Sequence, residues 1–111
     1  MKRGEVWLVD FGGTLVAEQG RHQKGLIVSN DSANKHLDRV QVLPVADKLS
    51  PCYPSETVVS LGNRQGKAKA DQIMSVLKSR LSTHAATVTD DDMLKVEHAI
   101  SVHLGFLSNI G

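Results

Sequence analysis

Glu5-Val6-Trp7-Leu8-Val9-Asp10-Phe11, closed by Gly12-Gly13, decides the fold. The run is short, rich in β-branched and aromatic side chains, and apolar at odd and even positions alike. It therefore reads as a strand covered on both faces. A polar loop follows over residues 12–24, broken by Gly20. Residues 25–29 (GLIVS) read as a second strand. Asn30-Asp31-Ser32-Ala33-Asn34 carries turn chemistry, because Asn, Asp and Ser side chains bond their own backbone. Residues 40–45 (VQVLPV) form a third strand, and Pro44, which lacks an N–H, assigns itself to a strand end or edge.

Pro51 and Pro54 mark residues 47–55 as a loop, and residues 57–61 are a fourth strand. Residues 62–66 (GNRQG) are a turn, the first half of 67–76 a strand, and 77–81 a short helical turn. Residues 89–107 are the clearest element. Thr89 is a good N-cap, and Asp90, Asp91 and Asp92 suit the positive end of a helix dipole. Met93, Val96, Ile100, Leu104 and Leu107 then recur at helical spacing as one apolar face, with Gly105 weakening the last turn. The expected class is mainly β with helices (α+β): five to six strands curled into a small barrel, with a C-terminal helix packed on it.

A chain of 111 residues, 41% hydrophobic and 23% charged, is expected to form a single globular domain over residues 1–111. No run of 18 apolar residues is present, so no membrane span is expected. Glu5 interrupts the N-terminus and no long apolar segment follows, so no secretory signal is expected and the default location is the cytoplasm. The lone Cys52 offers neither an internal disulfide nor a cysteine zinc site. The net charge of +1 is unevenly spread: Arg64, Lys67, Lys69, Lys78 and Arg80 precede an acidic stretch holding Asp90, Asp91, Asp92 and Glu97. A basic stripe of this kind can neutralise phosphates, or it can be a solvated face.

Five histidines do not make a metal site here. His98 and His103 stand five apart and so do not share a helix face in the manner of a zinc helix. No metal or other cofactor is expected. The densest polar cluster is Glu18-Gln19-Gly20-Arg21-His22-Gln23-Lys24. It carries a carboxylate, an imidazole and two cations. Those groups suit acid–base cleavage of RNA, which needs a proton acceptor at the ribose 2′-hydroxyl, a proton donor at the leaving 5′-oxygen and a cation on the phosphorane; the same cluster also reads as a solvated polar loop.

Several segments, in order, resemble the MazF/PemK (Kid) toxin family: Lys2 to Phe11, Glu18-Gln19-Gly20, the run from Leu26 to Asn34, Val42-Leu43-Pro44-Val45, Tyr53-Pro54, Ala70-Asp71-Gln72-Ile73 and Ser79-Arg80-Leu81. The resemblance implies an SH3-like curled barrel and a two-fold homodimer. It also implies the toxin of a type II toxin–antitoxin pair, which cuts single-stranded RNA at a short sequence without a metal. A cognate antitoxin would cover the RNA groove with a flexible acidic tail. On this resemblance Glu18 and His22 match positions that carry an acid and a histidine in some members, with His22 the expected general acid/base and Glu18 orienting it; Gln23 stands where the family has Arg, and Ala46 where it has Thr or Ser. Arg21, Lys24, Arg64, Lys67 and Lys69 are the expected RNA contacts. Gln carries neither a proton to shuttle nor a charge for the phosphorane, and Ala46 lacks a hydroxyl. Two readings follow. One is an endoribonuclease, weakened unless Arg21 or Lys24 takes over. The alternative is a silent relative that binds antitoxin or RNA without cutting.

Overall fold

A computed structural model of the chain describes residues 1–12 and 22–107. Seven antiparallel strands form one sheet: β1 (Glu5–Asp10), β2 (His22–Ile27), β3 (Arg39–Ala46), β4 (Glu56–Leu61), β5 (Arg64–Lys69), β6 (Met74–Leu77) and β7 (Leu81–Thr87). Among the described residues two α-helices accompany them, α1 (Asp31–His36) and α2 (Asp90–His103), with single 3-10 turns at Ala70–Gln72 and Lys78–Arg80. The order across the sheet is β4-β5-β3-β2-β1-β7, with β6 also paired to β3. The class is the expected one, with one strand more than the five to six read from the sequence.

The central strand explains the curl. One edge of β3 pairs with β2, while the other pairs first with β6 (Arg39 to Val42) and then with β5 (Val45 and Ala46). Pro44 is therefore inside the sheet and not at its edge. The Val28 N–H donates to the Gln41 carbonyl at 2.9 Å. Counting by twos from that pair puts Pro44 opposite Gly25 in a non-hydrogen-bonded position. The N–H that Pro44 lacks would face the gap where β6 gives way to β5, so the β2 ladder does not miss it.

The sheet has a core on each side, as the doubly apolar β1 requires. Val6, Leu26, Leu43, Val45, Val59 and Ala68 pack with Met93, Val96 and Ala99 of α2. Val9, Phe11, Ile27, Val40, Val42, Val76 and Leu81 pack on the other face. The neighbours Leu26/Ile27 and Val42/Leu43 divide between the two cores, which is the period-2 alternation of a strand. Gly25 allows the second core to close, because a Cβ there would lie 2.9 Å from Val9 Cγ2.

Several segments differ from the sequence reading. His22 to Lys24, read as loop, open β2, and Arg64 to Gly66, read as turn, belong to β5, because each has a neighbouring strand to pair with. Residues 30–34 start a helix instead of a bare turn: Asn30 caps α1 by accepting from the Ala33 N–H at 2.9 Å. Residues 81–87, which show no clear period, become β7 because β1 has a second edge to satisfy. Trp7 stacks on His84 across that pairing, with centroids 5.5 Å apart and planes 13° from parallel. Finally, α2 stops at His103 in place of Leu107. Gly105 has φ +82°, and its N–H and that of Phe106 bond the carbonyls of Val102 (3.2 Å) and Ser101 (2.8 Å). This is a Schellman stop. It leaves Leu104 and Leu107 exposed at the end of the expected apolar face.

Candidate functional site

The β1–β2 pairing sets Asp10 opposite His22. His22 Nε2 lies 3.9 Å from Asp10 Oδ2, too far for a hydrogen bond but close enough for attraction whenever the imidazole is protonated. Asp10 is itself fixed: the Gly12 N–H donates to Oδ1 at 2.8 Å, and Arg80 Nη1 stands 3.8 Å from the same oxygen. Two residues along β2, Lys24 pairs with Val45, and Asp47 follows just past the end of β3. Lys24 Nζ donates to Asp47 Oδ1 at 2.8 Å. That bond and the Lys24 charge, helped by Arg64 and opposed by slight burial, hold the Asp47 carboxyl below its usual value.

His22, Lys24 and Asp47 line one cavity of about 340 Å³ together with Leu8, Gln23, Val45 and Ala46. The Gln23 amide nitrogen is buried and has no hydrogen-bond partner among the described residues. On β2 Gln23 alternates with His22 and Lys24, so its side chain leaves the strand on the opposite face, the side of Val9 and Gly25. A second cavity of about 170 Å³ adjoins, lined by Lys24, Leu61, Arg64, Ala85 and Ala86. Lys24 thus belongs to both. A larger cavity, about 570 Å³, opens elsewhere among Met1, Lys2, Asp31, Asn34, Lys35 and Lys78, and contains none of the expected site residues.

The structure therefore gathers His22, Gln23, Lys24 and Ala46, with Arg64 on the adjoining cavity. Lys67 needs correction as an RNA contact. It is 6% exposed, donates to the Pro51 carbonyl at 2.7 Å and stands 3.4 Å from Glu56 Oε1, so its ammonium is spent inside the fold. Lys69, at the far end of β5, lines neither cavity. Glu18 and Arg21 lie outside the described residues. Two carboxylates escaped the sequence reading. Asp10 is brought in by cross-strand register, and Asp47 by the strand pairing that sets Lys24 beside the end of β3. Asp47 follows Ala46 directly in the chain, which was the one available signal. Among the described residues no three His, Cys, Asp or Glu side chains gather to hold a metal, and no helix is long and apolar enough to cross a membrane.

A curled antiparallel sheet with His22 and Lys24 lining one groove defines a small β-sheet protein with a polar cleft. Known proteins sharpen that class. The model of the PemK-like, MazF-like toxins of type II toxin–antitoxin systems matches residues 2–104. An endoribonuclease MazF9 of Mycobacterium tuberculosis is 29% identical, the match covering 97% of this chain and 99% of the relative. Among solved structures, an endoribonuclease in complex with its cognate antitoxin from a mycobacterial species superposes with a TM-score of 0.82 at 25% identity, covering 96% of this chain and 97% of that one. MazF from Deinococcus radiodurans gives 0.78 at 26% identity, covering 95% and 96%. This chain belongs to the PemK-like, MazF-like toxin family of type II toxin–antitoxin systems.

Proposed function

We propose that this protein is the toxin of such a pair and a metal-independent endoribonuclease acting at a short sequence in single-stranded RNA. The observation that carries the reading is the groove where His22, Gln23 and Lys24 of one strand meet the end of β3. In the proposed reaction the ribose 2′-oxygen attacks the adjacent phosphorus and the 5′-oxygen leaves. The products are a 2′,3′-cyclic phosphate and a 5′-hydroxyl. His22 carries the proton, and Asp10 on the neighbouring strand stands 3.9 Å from its Nε2. Lys24 faces the phosphorane charge. Glu18 and Arg21 remain part of this proposal from their place in the sequence.

The proposed setting is a cytoplasmic homodimer whose cognate antitoxin, through a flexible acidic tail, blocks the groove. The mycobacterial structural neighbour, bound to its antitoxin, supports that partner. Leu94, Phe106, Leu104 and Leu107, all exposed in the single chain, offer apolar surface for a protein contact.

A second reading has its own observation. Gln23 stands where the resemblance places Arg, and Ala46 where it places Thr or Ser. Each missing preorganised group costs about 10²–10³ in rate. A silent relative that binds RNA or antitoxin without cutting would look like this. Incubating the purified protein with labelled single-stranded RNA in EDTA decides between them. Fragments ending in cyclic phosphate support the nuclease. Intact RNA from the natural chain and from a Gln23→Arg/Ala46→Thr variant alike refutes it.

A further inference from the structure

Asp47 is a carboxylate in a groove that otherwise suits an anion. Its oxygen sits 2.8 Å from Lys24 Nζ, the distance at which a phosphate oxygen would sit. The two partners are unequally held: the Lys24 side chain is 27% exposed and the Asp47 side chain 81%. Lys24 is therefore fixed in the wall shared by the two cavities, while Asp47 reaches in from solvent. Arg64, on the adjoining cavity, adds its field at the same carboxyl and makes no ion pair of its own among the described residues. A phosphodiester and an aspartate carry the same charge, so one can replace the other on Lys24 with no net change at the cation.

We propose that Asp47 competes with RNA for Lys24: its carboxylate occupies the phosphate position of the groove and must swing out as a phosphodiester enters. The proposal rests on the RNA reading above and deepens it by naming a residue that opposes substrate binding. Exposure makes the exchange easy, since the departing carboxylate returns to water without a desolvation penalty. It also bounds the effect. Exposed ion pairs are worth little, so losing the competitor should tighten RNA binding by about two- to fivefold at low salt. The site would then carry one more uncompensated cation, so the salt dependence should steepen by up to about 0.7 in log–log slope.

The test is a binding titration of a mixed-sequence, 2′-O-methylated single-stranded oligonucleotide, which lacks the 2′-hydroxyl nucleophile and cannot be cut by this route. Asp47→Asn is compared with Asp38→Asn, which removes the same charge from an exposed acid that lines neither cavity. Thermal melting confirms that both variants fold. The expected result is tighter binding and a steeper salt slope for Asp47→Asn alone, with the gain abolished in a Lys24→Gln background. Binding acquired by Asp47→Asn where the natural chain shows none supports the proposal as well. Natural-chain binding that Asp47→Asn leaves equal to Asp38→Asn, or weakens, overturns it while the RNA reading stands. No RNA binding by any variant overturns both.

Discussion

Replacing Lys67 with methionine keeps the length of the side chain and removes its charge, which separates its two conceivable roles. In the fold its ammonium donates to the Pro51 carbonyl at 2.7 Å and pairs with Glu56 Oε1 at 3.4 Å. Both side chains are less than a tenth exposed, at 7% and 8%. Removing one partner of a buried pair typically costs about 3–5 kcal/mol. Glu56 keeps one bond, from the Tyr53 N–H at 3.0 Å, so the lower end is expected, about 3 kcal/mol. For a domain of this length, 1 kcal/mol moves the melting point by about 4 °C, so Tm should fall by about 12 °C. Lys67→Met/Glu56→Met should recover much of that loss, because an apolar pair replaces a buried ionic one. The log–log salt slope of RNA binding should be unchanged in any variant that still folds. Calorimetry and a salt titration read the two quantities separately. A Tm change under 2 °C together with a slope reduced by about 0.7 would refute the reasoning and return Lys67 to the phosphate contacts.

Gly66→Ala should cost about 1–3 kcal/mol, because its Cβ would lie 2.5 Å from Val45 Cγ1 in the wall that carries Ala46; denaturant unfolding measures it. Asn34→Ala should cost about 1–2 kcal/mol by the same measurement: it removes the amide that bonds the Ser29 carbonyl at 2.8 Å and leaves part-buried partners unmet. Burial raises the Asp92 pKa, but the Ser60 N–H and Lys95 outweigh it and the net value is lowered. A depressed carboxylate stabilises the fold above its unfolded pKa, about 3.9, and loses that contribution as pH falls through the folded value. Asp92→Asn should therefore be the less stable protein at neutral pH and converge on the natural chain in acid, as thermal melts against pH would record. Gln23→Arg/Ala46→Thr should raise RNA cleavage at least tenfold in an initial-rate assay. An unchanged rate would assign the cationic role to Lys24 or Arg21.

Local chemistry was enough for part of this protein. The doubly apolar β1, the Thr89 cap with its acidic first turn, and the small, curled β architecture with a closing helix are all legible, because period and capping act over a few residues. The cluster from His22 to Lys24 was legible for the same reason: its members adjoin in the chain. Tertiary structure decided what depends on partners distant in sequence. Residues 81–87 have no strand period of their own and pair because β1 offers them an edge. Pro44 lies within a central strand because two different strands share one side of β3. Lys67 and Lys24 are equally cationic on paper. Folding buries one against Glu56 and leaves the other in a groove beside Asp47, since strand register, which no single segment contains, sets which charges meet.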